Sequence, residues 1–222
     1  MASRSASTPV PLVLHADVLD PWSWIAEKRI VIAADELHGR FFPLEHAPLP
    51  RRWEPRAPSA AERRDRVREL KRAAQEPDAP PFSAELWDGC GGGPQSSGPA
   101  LLAVATARLQ GRPAERAMRE ALREAALVTG IDVSRSDVIM EVAARAGLDL
   151  ARFVPAFEAP GTARALLEDV QDARELGVRR APGLVIGDDW LVSGLRSLRA
   201  YRLLLKRYLA DRAGSPVEHT VH

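Results

Sequence analysis

The sequence contains a single cysteine, Cys90, in 222 residues. A disulfide within the chain needs two thiols and a multi-cysteine metal site needs several, so the sequence excludes both, and we expect no metal. Neither sign of charge is in excess, because 31 Lys and Arg residues nearly balance 30 Asp and Glu residues. The net charge of +1 produces no field that favours nucleic acid, so we expect no nucleic-acid partner.

Long apolar runs are also missing. No stretch approaches the roughly 18 apolar residues that indicate a membrane-spanning helix, so we expect no membrane partner. Residues 1–8 are small and polar and lack the apolar segment of a secretion signal, which predicts a cytoplasmic location. The composition that is present, 45% hydrophobic in a chain of this length, suits one globular domain with a buried core.

The N-terminal part of the chain predicts a β-α-β unit. Residues 9–18 contain a short apolar run that is typical of a buried strand. Asp20 and the proline after it favour a helix start, because the carboxylate caps free N–H groups and proline fits the first helical position. We expect the helix to end near Gly39 and residues 41–47 to form a second, parallel strand. Pro43 cannot donate to a sheet ladder, which places this strand at an edge.

Helical patterns occupy the middle of the chain. Residues 60–74 predict a highly charged helix, and residues 51–72 contain nine basic against four acidic residues. Such charge is typical of a solvated surface helix, and the alternative is a cover with affinity for an anionic ligand. Further helices are predicted at 98–109, 115–128, 150–157 and 160–176, and one after Ser134 as its N-cap.

The chain ends in a β-β-α unit. Residues 184–186 and 190–192 predict two strands joined by a turn, and residues 197–211 predict an amphipathic helix. Two half-motifs around a helical stretch predict an α/β fold, with one mixed four-stranded sheet and helices on both faces. The predicted division is an N-terminal half with a Pro- and Arg-rich segment at 9–82, a helical insertion at 83–158, a C-terminal half at 159–213 and a flexible tail at 214–222.

Two junctions in this order resemble the DsbA-like branch of the thioredoxin superfamily. Residues 17–24 read Asp-Val-Leu-Asp-Pro-Trp-Ser-Trp and stand where DsbA and FrnE-like proteins have a strand, a Cys-Pro-Trp-Cys motif and a helix. Residues 177–188 are similar to the family's Gly-Val-x-x-Val-Pro-Thr segment, whose proline is cis and faces the active helix. The resemblance covers nearly the whole chain and implies a thioredoxin-like fold (β-α-β plus β-β-α) with an inserted helical subdomain.

Asp20 and Ser23 occupy the places of the two family cysteines. Disulfide exchange needs an attacking and a resolving thiol, so the resemblance implies oxidoreductase ancestry without dithiol activity. Kappa-class glutathione transferases and 2-hydroxychromene-2-carboxylate isomerases look similar at this junction, with serine at the first position. These relatives imply an isomerase or a glutathione-dependent enzyme, with glutathione as the candidate cofactor, and a homodimer as in several of them.

The candidate catalytic residues are Asp20, Ser23 and His15, and the candidate substrate-binding residues are Trp22, Trp24, Ala181 and the cis-proline Pro182. Asp20 either caps the helix, which lowers its pKa, or acts as an acid or base with a pKa that burial raises. His15 is either a satisfied core residue or part of the site. The five tryptophans either line one apolar groove or pack in the core.

Three functions remain open. The first is an enzyme that acts on a small molecule in a groove between Asp20, Ser23 and Pro182. The second is a redox-inactive adaptor of the YjbH type that binds an extended peptide. The third is a single-thiol oxidoreductase that uses Cys90, which lies in a glycine-rich run that borders the active groove in related folds. The alternative for Cys90 is an incidental position in a loop.

Overall fold

The structure is a computed structural model that describes residues 8–89 and 93–214. Two predictions concern residues outside these ranges. One is the approach of Cys90 to the groove, and the other is the flexible tail, of which Gly214 alone is described, as the last residue of a helix.

A mixed sheet lies at the centre of the fold. Its strands are β1 Leu12–Ala16, β2 Glu45–Pro48, β3 Gly183–Ile186 and β4 Trp190–Ser193. Within the described residues the spatial order is β2-β1-β3-β4, with β1 and β2 parallel and the other pairs antiparallel. The predicted four-stranded mixed sheet is therefore confirmed, and β2 lies at its edge as predicted.

Helices surround the sheet. They are α1 Pro21–Asp35, α2 Ala60–Ala73, α3 Glu85–Asp88, α4 Gly98–Arg108, α5 Arg112–Arg123 with a π-helical continuation at Glu124–Val128, α6 Ser136–Arg145, α7 Leu150–Glu158, α8 Pro160–Glu175 and α9 Leu198–Gly214. Each helix predicted from periodicity is present, with ends that differ by a few residues.

The first strand is shorter than the predicted 9–18, since it spans Leu12–Ala16. Two further predicted boundaries are wrong. The second strand begins at Glu45 rather than at residue 41, and Phe41 makes only an isolated bridge to Val10, because Pro43 has no N–H to continue the ladder. Ser134 does not cap α6, which begins at Ser136. The Ser134 hydroxyl instead donates to Asp132 at 2.6 Å and closes the turn before the helix.

Two hydrophobic clusters form most of the core. One lies between the sheet, α1 and α9 and contains Leu12, Leu14 and Tyr201. The other joins the inserted helices and contains Leu122 and Phe153. Because side chains alternate along a strand, His15 points away from the face of β1 that carries Leu14. The predicted boundaries of the four chain segments, 9–82, 83–158, 159–213 and 214–222, stay predictions.

A buried carboxylate connects α1 to β2 and α5. Both Arg123 and Arg119 of α5 donate to Glu27 of α1, the latter at 3.0 Å, and His46 Nε2 of β2 lies 3.0 Å from Glu27 Oε2. Burial alone would raise the pKa of Glu27, but these three neighbours hold it far below its ordinary value. Arg123 is 0% exposed and has no contact with water, so Glu27 supplies its counter-charge.

We predict that Glu27→Gln lowers the free energy of unfolding by about 3 to 5 kcal/mol at pH 7, because it leaves buried arginines without a counter-charge. The folded-state pKa of Glu27 is depressed, so this difference is full above its ordinary value of 4.5 and narrows as the pH falls below it. Urea denaturation measures the difference.

Glu141→Gln is the matched control, because Glu141 pairs with Arg145 on an exposed part of α6. An exposed ion pair contributes about 0 to 1 kcal/mol, so this variant should unfold almost as the wild type does. Equal effects of the two substitutions would contradict a special role for Glu27.

Candidate functional site

The N-terminus of α1 is closed by its own cap. Asp20 Oδ2 accepts hydrogen bonds from the Ser23 backbone N–H at 2.8 Å and from the Ser23 hydroxyl at 2.6 Å. Asp20 Oδ1 accepts from Arg51 Nη1 at 3.2 Å. Both Asp20 and Ser23 are 0% exposed. Asp20 therefore serves as the helix cap, and the catalytic role of this pair stays a prediction for which the present geometry offers no open face.

Burial raises the pKa of Asp20 above its usual range. This cause outweighs Arg66, Ser23 and Arg51, which all favour the charged form. The capping contacts, which lower the pKa of Asp20, and burial, which raises it, are thus both present, and burial has the larger effect. A carboxyl group that is sealed in this way cannot exchange a proton with a ligand unless the cap opens.

Charged residues of α2 and the preceding loop lie over this cap. Glu69 accepts hydrogen bonds from Trp22 Nε1 at 2.9 Å, Arg51 Nη1 at 2.8 Å and Arg66 Nη1 at 2.6 Å. Burial would raise the pKa of Glu69, but the two arginines hold it below its ordinary value. Glu69 is therefore an anchor for cations, not a free base.

The first of two cavities beside the cap, here called the cap cavity, has a volume of about 310 Å³. It lies between α2 and the start of α4, and Arg52, Arg66, Glu69 and Trp87 are among its lining residues. The Arg66 guanidinium lies 5.1 Å from the centre of the Trp87 ring, a cation–π contact. Sequence reasoning located this arginine only within a basic run, and the Arg66–Glu69 spacing of three residues was the available signal.

The second cavity, here called the proline-loop cavity, has a volume of about 690 Å³. Ala181 lines it opposite Leu49, and Arg51 and Glu69 line both cavities, so their ion pair separates the two spaces. The Ala181–Pro182 bond is cis. Within the described part of the chain, the backbone N–H and C=O of Ala181 make no hydrogen bond, which leaves one donor and one acceptor available.

The remaining predicted site residues lie apart. His15 is 3% exposed, burial lowers its pKa, and neither ring nitrogen has a hydrogen-bond partner among the described residues. It lies between Ala47 and Gly183 in the sheet register. The Trp24 ring packs against Phe82 with 5.9 Å between centroids.

The tryptophans do not line a common groove. Trp190 packs edge-on against Tyr208, beside the last helix, and Trp24 belongs to the core around the inserted helices. Trp87 lines the cap cavity. Trp24 and Trp190 are partly buried and pack against the two core clusters, and the substrate-binding role of Trp24 stays a prediction.

Within residues 8–89 and 93–214, no three His, Cys, Asp or Glu side chains come together in a way that could hold a metal ion. No helix in the same ranges combines the length and apolar character needed to cross a membrane.

The sheet order, the cap and the cis-proline loop together define a thioredoxin fold with inserted helices. Residues 12–206 match the family model of the DSBA-like thioredoxin domain, and the chain belongs to that family. The sequence-based recognition of the family and of its fold is thereby confirmed. The family's cysteine pair is absent, because the chain has one cysteine in total.

Several solved structures share this fold. A putative protein disulfide isomerase from Nitrosomonas europaea is 20% identical with a TM-score of 0.76, covering 91% of this chain and 98% of that one. The cytosolic disulfide reductase DsbM from Pseudomonas aeruginosa with GSH is 22% identical with a TM-score of 0.66, covering 90% and 99%. A 2-hydroxychromene-2-carboxylate isomerase is 16% identical with a TM-score of 0.65, covering 91% and 98%.

One curated relative has a different activity. The ClpXP adapter protein SpxH of Shouchella clausii is 34% identical over 90 residues, which are 40% of this chain. The match spans 30% of that protein's own length. The likeness therefore concerns a part of each chain.

We predict that Asp20→Asn relieves the cost of a buried charge while it keeps a capping oxygen. The folded-state pKa of Asp20 is raised, so the wild type should lose free energy of unfolding relative to this variant as the pH rises above 3.8. The loss amounts to about 1.4 kcal/mol for each unit between the folded and unfolded pKa values. Urea denaturation at pH 4 and pH 7 measures it.

Asp35→Asn, at an exposed position in the last turn of α1, controls for the loss of a charge. If the wild type instead gained stability relative to Asp20→Asn between pH 4 and pH 7, the arginines would outweigh burial and the assigned direction would be wrong.

Proposed function

We propose that this chain is a redox-inactive peptide-binding protein that acts as an adaptor. It binds an extended, acidic segment of a partner protein in the proline-loop cavity. The observation that carries the proposal is the sealed cap, because Asp20 and Ser23 stand at the positions of the family's reacting thiols, bond to each other and are both fully buried. A site without an accessible reacting group can bind but has nothing with which to attack or resolve a disulfide.

The free backbone groups of Ala181 support a peptide ligand. An extended peptide recognises a protein largely by main-chain hydrogen bonds, and side-chain pockets then add specificity. Ala181 offers one N–H and one C=O at the wall of a cavity of about 690 Å³. Leu49 and Val178 form an apolar part of the cavity lining. This part suits an apolar side chain of the peptide, beside the peptide backbone that pairs with Ala181.

The charge of the cavity favours an acidic segment. Four arginines, Arg51, Arg174, Arg179 and Arg180, line it against one carboxylate, Glu69. Within the described residues, Arg174, Arg179 and Arg180 have no ion-pair partner, so their charges remain available to a ligand. Guanidinium groups bind carboxylates in a paired geometry, which would orient Asp or Glu side chains of the peptide.

The curated relatives agree with this class of function. SpxH proteins from two organisms are named as adapter proteins of ClpXP, and the matched regions are 34% identical to this chain. Because each match spans less than a third of the relative, it supports the adaptor class and leaves the partner of this chain to experiment.

We predict that a fluorescein-labelled peptide of alternating Glu and Val binds the full-length protein saturably, and that the same peptide with Lys in place of Glu does not. The double variant R179A/R180A should weaken binding about tenfold or more, because each lost charge-assisted hydrogen bond is worth about 1.5 to 3 kcal/mol. Fluorescence anisotropy at constant ionic strength measures the affinity.

Arg145→Ala removes an exposed arginine from α6 and serves as the control, which should bind as the wild type does. N-methylation of the central peptide residues should also reduce binding, since it blocks pairing with Ala181. If the Lys peptide bound equally, or if the N-methylated peptide lost nothing, the proposed site would be wrong. Cys90→Ser should bind normally, and a loss would favour the single-thiol alternative.

The cap cavity supports a second candidate, an enzyme that acts on a small molecule with glutathione. Its volume of about 310 Å³ is near the lower limit for a small-molecule site. Arg52 and Arg66 could bind the carboxylates of glutathione if these displaced Glu62 and Glu69, with which the two arginines now pair. The fold is shared with a disulfide reductase solved with GSH and with an isomerase. Asp20 and Ser23 would act in this enzyme only after the cap has opened.

We predict that two variants, Arg52→Ala and Arg180→Ala, distinguish the glutathione-dependent enzyme from the peptide-binding adaptor. Glutathione that binds the cap cavity should raise the melting temperature of the wild type, and Arg52→Ala should abolish the shift while Arg180→Ala keeps it. Peptide binding should be weakened in Arg180→Ala and unchanged in Arg52→Ala. Insulin reduction should be absent in every case, because the family's thiol pair is missing. A glutathione shift that Arg52→Ala leaves intact would exclude the cap cavity as its source.

A further inference from the structure

A third cavity lies at the exposed edge of β2, away from the site described above. It has a volume of about 350 Å³ and is enclosed by β2, the end of α4 and the first turns of α5. It shares no lining residue with the cap cavity or with the proline-loop cavity. We call it the arginine cavity, because its lining includes Arg108, Arg112, Arg116 and Arg119.

The spacing of these residues explains why they converge. Arg112, Arg116 and Arg119 recur at i, i+4 and i+7 on α5, so they lie on one face of the helix. Arg108 comes from the end of α4, which packs against α5. The two helices thus direct four guanidinium groups toward one space.

Two of the four arginines are already engaged. Arg112 pairs with Glu45, and Arg108 lies 3.3 Å from Glu115. Arg108 Nη2 also donates to the His46 carbonyl at 2.7 Å and so covers the edge of the sheet. These contacts give Arg108 and Arg112 a structural role, because they hold the two helices against the edge of the sheet.

Of the other two arginines, Arg116 has no ion pair with a described residue, and Arg119 pairs with Glu27 at 3.0 Å and lies 3.9 Å from Glu115 but keeps one free donor. Arg116 is exposed and makes no hydrogen bond or ion pair with any described residue. Arg119 is 5% exposed, and its Nε has no hydrogen-bond partner in the part of the chain that the structure describes. The carboxylate nearest to Arg119, that of Glu27, is shared with the fully buried Arg123.

The charge around the cavity is therefore positive. Its lining contains four arginines against two glutamates. Asp169 lies outside the lining, 3.6 Å from Arg108, and offsets part of that residue's charge. A buried guanidinium whose Nε lacks a partner among the described residues, beside an exposed guanidinium without an ion pair to them, at the wall of a cavity, indicates a site for an anion.

We propose that the arginine cavity binds a small phosphate-bearing molecule, held by Arg116 and Arg119. A phosphate group presents several acceptor oxygens, and the planar guanidinium matches them in a bidentate geometry. The volume of about 350 Å³ suits a phosphate ester of modest size rather than a polymer. This site is separate from the proposed peptide site, so either can fail without the other.

The test is isothermal titration of the full-length protein with inorganic pyrophosphate at constant ionic strength. We expect saturable binding at one site. Arg116→Ala should weaken it at least about tenfold, which corresponds to about 1.4 kcal/mol. Because Arg116 is exposed and unpaired, this variant should fold normally, and its melting temperature without ligand provides the check.

Arg145→Ala and Arg180→Ala are the controls, the first an exposed arginine of α6 and the second a lining residue of the proline-loop cavity. Both should bind pyrophosphate as the wild type does. The absence of saturable binding, or an equal loss in Arg145→Ala, would overturn the proposal and leave these arginines as a cover for the sheet edge. A loss in Arg180→Ala alone would move the anion site to the proline loop.

Discussion

The buried contact between Glu27 and the arginines of α5 is the constraint on which the rest of the arrangement depends. Arg123 is fully buried, and a buried cation is tolerated only beside a counter-charge. The inserted helices pack so that Arg119 and Arg123 of α5 reach Glu27 of α1. Arg119 and His46, which both contact Glu27, also line the arginine cavity. Two elements far apart in sequence are thus held in register by one carboxylate.

The electrostatics of a helix N-terminus explain why the position of the family's reacting thiols is closed in this chain. The N-terminus of a helix stabilises a negative charge, and in thiol-containing relatives that effect favours a thiolate. Here the helix end is occupied by the side chain of Asp20 itself, held by Ser23 and Arg51. Because the helix end binds its own residue, we propose that ligands bind in the cavities on either side. Arginines and the backbone of Ala181 are the groups that remain available there.

Much of the fold follows from local signals. The Asp20 cap, the edge position of β2 and the turn between β3 and β4 each depend on residues close together in the chain. The misplaced boundaries arose where a neighbour competed, as when Asp132 engaged the Ser134 hydroxyl. Of the candidate site, the sequence indicated Asp20, Ser23 and Ala181, but it could not show that the first two are sealed. Burial depends on α2, whose charged sequence is equally typical of a solvated helix.

The sequence by itself determined that this chain has no dithiol chemistry, because a reaction needs atoms that one cysteine cannot supply. It also determined the order of strands and helices, since hydrophobic periodicity is a local property. Which of the basic residues in the described ranges are structural and which have no partner depends on the tertiary structure. Arginines look alike in sequence, and their partners lie far along the chain, 31 residues apart for Arg51 and Asp20 and 96 for Arg123 and Glu27. Such pairings exist only after the chain has packed, because packing alone sets which charges lose their water.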